Sequence, residues 1–124
     1  MTREMKVPSP AHPITIEPSS DRVVVRAGGA AIADSTATLV LREADYPAVR
    51  YVPLADVDRT LLAPSDHSTY CPFKGEASYW SITTEPGRGR DAVWFYDEPY
   101  AAVEPIRNHV AFYADRVDIT IQAA

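Results

Sequence analysis

Cys71-Pro72-Phe73-Lys74-Gly75 is where this chain concentrates residues able to do chemistry. It holds the chain's only cysteine and, apart from Lys6 near the start, its only lysine. Pro72 locks φ and lacks an amide donor, whereas Gly75 permits a positive φ and a close approach to another group. A strand that ends at Cys71, turns through Pro72 to Gly75 and restarts at Ala77 would bring thiol and ammonium together. Cys71 could then act as a nucleophile with His67 as its base. The favoured alternative is a small, half-buried hydrophobe at a strand end, because no third residue to orient the base is evident.

Lys74 suits a carboxylate, phosphate or carbonyl ligand if its stem crosses an aromatic wall. The alternative is a structural ion pair with Glu43 or Glu76, worth at most about 1 kcal/mol on an open surface. Schiff-base chemistry would be a third use of the amine. Glu43, directly after Arg42 at the end of an apolar run, is a candidate acid or base if it points inward, and inert if it faces solvent. A metal site would have to draw on Asp66, His67, Cys71 and His109. His-x-x-x-Cys is not a usual zinc pair in a strand and the other histidine is distant, so no metal and no cofactor are expected. His12 lies in the N-terminal tail and is given no role.

The elements that must position these residues read as strands. Eleven prolines in 124 residues leave little room for long helices. Arg22–Arg26 is β-branched, and Gly28-Gly29 follows as a hairpin turn into Ala30–Ala33. Thr38–Arg42 and Val49–Val52 are further apolar runs, the latter closed by Pro53. Leu54–Leu62 is the best helical candidate, with Leu54, Val57, Leu61 and Leu62 at near-helical spacing and Pro64 to stop it. Ser68–Cys71, Ala77–Thr83 and Ala92–Tyr96 follow, the last two joined by the Glu85–Arg90 loop, a solvated hairpin tip whose Arg88 and Arg90 could touch an anionic partner. Val103–His109 could form a helical turn, and Val117, Ile119 and Ile121 alternate as a half-buried or edge strand. The sum is about eight or nine short strands in a curled, mainly-β domain. Residues 1–13, with Pro8, Pro10 and Pro13, read as an extended tail, and 14–122 as a single domain.

Composition narrows the partners. A net charge of −5 and a pI near 5.1 argue against a nucleic-acid binder and show no bias toward anionic membranes. A single cysteine allows no internal disulfide, no run approaches the about 18 apolar residues of a membrane span, and no secretory leader is visible. A cytoplasmic protein is expected.

The block Cys71-Pro72-Phe73-Lys74-Gly75-x-Ala77-x-Tyr79-Trp80 resembles the family of domain of unknown function four-twenty-seven. Its flanks fit as well: Arg42-Glu43, Tyr51-Val52-Pro53, Asp66-His67-Ser68-Thr69, Ala92-Val93-Trp94-x-Tyr96-x-x-Pro99 and Ile106-x-x-x-Val110-Ala111-Phe112-Tyr113 keep order and spacing. The resemblance runs from roughly Val23 to Ile121. It implies a tent-like fold of two short antiparallel sheets with one or two short helices, a shape shared with a guanine-nucleotide-exchange chaperone, B-type methionine sulfoxide reductases and the drug-binding domain of cereblon. The paired Cys-x-x-Cys motifs that hold zinc in several of those are missing here. A nucleotidyltransferase label sometimes attached to the family finds no Gly-Ser plus Asp-x-Asp metal arrangement and no glycine-rich phosphate loop in this chain. The resemblance also favours an inward Glu43.

The reading that follows is a cleft for a small polar or anionic ligand. Lys74 supplies charge, Glu43 and Tyr51 hydrogen bonds, Tyr79, Trp94 and Tyr96 the wall, and Cys71, Pro72 and Gly75 the rim. These aromatics, with Trp80, could instead simply fill the core. A binding module is favoured over an enzyme using Cys71 or Lys74 with Glu43 or His67, because no complete catalytic set can be named. A structural or protein-interaction module is the third reading, and an aromatic-rich edge leaves room for a homodimer.

Overall fold

The computed structural model describes residues 3–124. Ten strands follow one another: β1 (Ile14–Ser19), β2 (Arg22–Ala27), β3 (Ala30–Ser35), β4 (Thr38–Glu43), β5 (Val49–Pro53), β6 (Leu62–Cys71), β7 (Gly75–Ile82), β8 (Val93–Phe95), β9 (His109–Phe112) and β10 (Asp118–Gln122). They form two antiparallel sheets, one of seven strands in the order β1-β4-β5-β9-β8-β7-β6 and one of three in the order β10-β2-β3. The mainly-β, two-sheet fold expected from the sequence is therefore what the chain adopts. No helix among the described residues is long and apolar enough to cross a membrane.

Alternation along the strands gives the large sheet two buried faces. Val52, Ile82, Val93, Val110 and Phe112 pack with Val23, Val25, Ala27 and Ile32 of the small sheet. On the opposite face Leu41, Tyr51, Ala77, Tyr79, Tyr96 and Ala111 form a second core with Val103 and Ile106. Those last two come from a six-residue 3-10 helix, Ala101–Ile106, kinked at Val103 and carrying Pro105. Gly28 and Gly29, at φ +58° and +80°, make the tight β2–β3 turn, as their pairing with hairpin strands requires. Both edge strands of the large sheet, β1 and β6, carry a proline (Pro18 and Pro64), which removes a free amide from an otherwise open edge.

Three sequence expectations are corrected. The helix over Leu54–Leu62 does not form: two 3-10 turns, Leu54–Asp56 and Arg59–Leu61, stand in its place. Val57 between them is extended at φ −114° and ψ 134°, bridges to Ala33 and is buried, while the Asp58 side chain accepts the Thr60 amide and starts a new turn. Burial of one β-branched side chain against β3 thus overrides the helical spacing. The helical turn over Val103–His109 ends at Ile106, because His109 opens β9. The strand count rises to ten because β1 and β9 each read too short or too polar to stand out alone.

The strand that matters most for the cleft is β5. It pairs with β4 through Val49–Tyr51 but with β9 only through Val52 and Pro53. The start of β5 and the chain leaving β9 at Tyr113 therefore part, and the large sheet opens there.

Candidate functional site

The turn between β6 and β7 is built as its sequence suggests. Lys74 N–H donates to the Cys71 carbonyl at 3.2 Å, and Gly75 sits at φ +111°. The face of Gly75 that a Cβ would occupy lies 3.4 Å from the Glu98 carbonyl oxygen, so residues 98–100 press directly on the turn. Tyr100 N–H donates to the Lys74 carbonyl and Lys6 N–H to the Pro72 carbonyl, both at 2.9 Å. Clamped on two sides, the turn sends the Lys74 side chain inward, and the residue is only 8% exposed.

There it meets Glu43. The ammonium donates to Glu43 Oε1 and lies 3.7 Å from Cys71 Sγ. Glu43 ends β4, and Ala44 after it turns the chain with φ +47°. The second carboxylate oxygen, Oε2, lies 2.7 Å from His12 Nε2. His12 in turn stacks flat on Phe73, with ring centroids 4.1 Å apart and planes 3° from parallel. His12, which the sequence leaves in the tail without a role, is thus the third member of the cluster. The register of β1 on β4 explains it: Ile14 lies opposite Glu43, and Ala44 N–H donates to the Pro13 carbonyl, so residue 12 falls beside the carboxylate.

Burial pushes the Glu43 carboxyl up, but the hydrogen bonds from Lys74 and His12 outweigh it and hold the group below the ordinary value of 4.5. The pair is not the exposed, cheaply replaced kind that the sequence allowed. With side-chain exposures of 10% and 12%, both partners are largely removed from solvent, so deleting either leaves the other poorly solvated.

Glu43 and Lys74 lie along a cleft of about 1050 Å³ whose lining includes Tyr51, Tyr79, Trp94 and Tyr96. Tyr51 meets the Trp94 ring edge-on at 6.5 Å, and Tyr113 packs against Trp94 at 4.5 Å. Tyr79 OH is hydrogen-bonded to Thr69 Oγ1 at 2.9 Å and to Tyr113 OH at 3.3 Å. Burial pushes the Tyr51 and Tyr96 hydroxyls well above the normal phenol range, an effect the Trp94 indole only partly offsets at Tyr51. Burial followed by the Tyr79 bond brings Tyr113 up to about 12. Near neutral pH these groups are neutral hydrogen-bonding phenols, not bases.

The remaining candidates fall elsewhere. Cys71 touches Lys74 but does not line the cleft, and Gly75 shapes the turn from behind. His67 is exposed on the irregular stretch of β6, its ring 4.5 Å from Tyr79, and among the described residues no hydrogen bond joins it to Cys71. Asp66 is exposed beside it, and His109 bonds the Arg107 carbonyl at the start of β9. No group of three or more His, Cys, Asp or Glu side chains among the described residues is arranged to hold a metal ion. Arg88 donates to the Asp115 carbonyl, fastening the β7–β8 loop to the turn before β10. Trp80 packs on Phe95 on the other face of the sheet. Beyond His12, Thr69 and Tyr113 also line the cleft, Thr69 through the β6–β7 hairpin and Tyr113 through the sheet order that brings it beside Tyr79.

A family model described as Domain of unknown function (DUF427) matches residues 15–123. The chain belongs to that family. No curated protein sequence matches it. The residues that cluster here (Glu43, Lys74, Tyr51, Tyr79, Trp94 and Tyr96) all fall within the DUF427 match, whereas His12 precedes it.

Proposed function

We infer that this DUF427 domain is a binding module for a small, planar ligand carrying a polar or anionic group. The observation that carries the reading is the convergence of a buried Lys74–Glu43 pair with four aromatic side chains on one cleft. An ammonium has three donors. Glu43 and Cys71 engage two of them, which leaves one for a ligand oxygen. Trp94, Tyr96 and Tyr51 offer flat apolar surface for a ring, as a pocket with few placed polar groups should. Binding is a better account than catalysis because Lys74 is occupied by its carboxylate partner and His67 is not bonded to Cys71.

The test is a titration with two planar probes, benzoate (anionic) and nicotinamide (neutral), followed by Trp fluorescence and backbone amide shifts. Saturable binding of at least one probe, with shifts centred on Lys74 and Trp94, is expected, weakened at least tenfold by Lys74→Met in a protein that still melts cooperatively. Shifts scattered over the surface, or equal affinity in the variant, would leave the cluster a purely structural lock.

A further inference from the structure

The cleft continues past the aromatic wall into a space that a planar ring cannot fill. Its volume of about 1050 Å³ stands at the upper end of drug-sized pockets, which span about 300–1000 Å³. Its lining comes from both faces of the large sheet. Tyr51 and Trp94 belong to the aromatic core, whereas Val52 and Phe112 belong to the core shared with the small sheet. The two parts join where β5 and the end of β9 diverge, since Val49–Tyr51 have no partners in β9.

On the far side the roof is the inner face of the small sheet. Ile119 stands opposite Val25 and Ile121 opposite Val23 on adjacent strands, so all four side chains share the face turned toward the large sheet. Val23 and Val25 are each 1% exposed, but Ile119 and Ile121 remain 37% and 49% exposed. They face inward, yet among the described residues each keeps more than a third of its surface exposed. Both line the cleft. Arg50, which also lines the cleft, has its guanidinium engaged by Ser19, Thr38 and Asp21. An apolar strip that overhangs a cavity, is continuous with a charged and aromatic end, and is left open at its rim has the chemistry of a channel for an alkyl chain.

We propose that the ligand is an elongated amphipathic molecule, a planar polar head at Lys74–Glu43 with an aliphatic tail that passes the β5–β9 opening and lies under β10 against Ile119 and Ile121. The proposal rests on the head-group site argued above and assigns the ligand class for it.

A series of benzoate, 4-butylbenzoate and 4-octylbenzoate separates the two claims. Titration calorimetry on the full chain should show affinity rising with tail length, at least tenfold from the first to the last, with amide shifts at Ile119 and Ile121 only for the tailed probes. The double variant Ile119→Thr/Ile121→Thr, which keeps β-branching on an exposed edge strand, should bind benzoate as the parent does and lose the tail-dependent gain. Ile121→Val serves as the folding control and should keep that gain. Equal affinity across the series, or a gain that survives the double threonine variant, overturns the tail site while leaving the head-group reading intact. A parent chain that is dimeric and becomes monomeric in the double variant also overturns it, because the strip is then an interface between copies. Failure of the head-group reading looks different: Lys74→Met then leaves the affinity for every member of the series unchanged.

Discussion

Glu43 has a carboxylate with two occupied oxygens, Lys74 on one and His12 on the other, in a place where little water reaches either. Such a pair is held less by its own attraction than by the cost of separating it, since a lone charge left behind is poorly solvated. Glu43→Gln keeps the shape and removes the charge, and should lower stability by about 3 kcal/mol, read as a drop in the urea midpoint at pH 7. The pH dependence gives a sharper check. The folded carboxyl titrates below its unfolded value of 4.5, so its contribution is fully present above that value and is lost as pH falls through the lower folded value. The gap in melting temperature between parent and Glu43→Gln should accordingly close on acidification below about pH 4.5. A gap that stayed constant down to pH 3 would mean that the ion pair contributes nothing to folding.

At the scale of elements, the β6–β7 turn makes the cluster possible, and Gly75 makes the turn. At φ +111° a side chain is strained whatever space surrounds it. Gly75→Ala should cost about 1–3 kcal/mol and should displace Lys74, so that its amide and those of Glu43 and Tyr100 shift together. Gly87, which has no positive φ and open space where a Cβ would project, is the control; Gly87→Ala should stay within about 0.5 kcal/mol. If the two substitutions cost the same, the turn is not under conformational constraint. This turn was legible in the sequence because its signals are local: proline, glycine and the resumption of strand alternation at Ala77. The hairpins at Gly28-Gly29 and at Glu85–Arg90 were legible for the same reason. Leu54–Leu62 misled because helical spacing is also what two short turns produce when Val57 is pulled onto β3. That Glu43, Lys74, Tyr51, Tyr79, Trp94 and Tyr96 would line one cleft could be expected from type and motif. His12 could not, because its part depends on the pairing of β1 with β4, a contact across 31 residues that no local pattern encodes.

Across the whole molecule, the small sheet is assembled from both ends of the domain. Strand β10 closes it by pairing with β2, and the Ala124 amide donates to Asp21 beside the start of β2. Its inner face is buried against β5, β7, β8 and β9 of the large sheet and against Val57 between the two 3-10 turns. The buried residues of the small sheet share one core with the large sheet, so the two sheets should unfold as one unit. The tryptophans allow this to be tested, since Trp80 lies on β7 and Trp94 on β8, both in the large sheet. Ile32 lies in β3 of the small sheet and is fully buried. Ile32→Ala should cost about 2–5 kcal/mol, and that loss should appear in full in the urea midpoint followed by Trp fluorescence. Exchange protection along β2 and β10 should fall by the same free energy, because global opening exposes both sheets together. If fluorescence kept the parent midpoint while β2 and β10 lost protection, the small sheet would be a separately opening flap. The cleft beneath it would then be a door, with β10 as its moving edge.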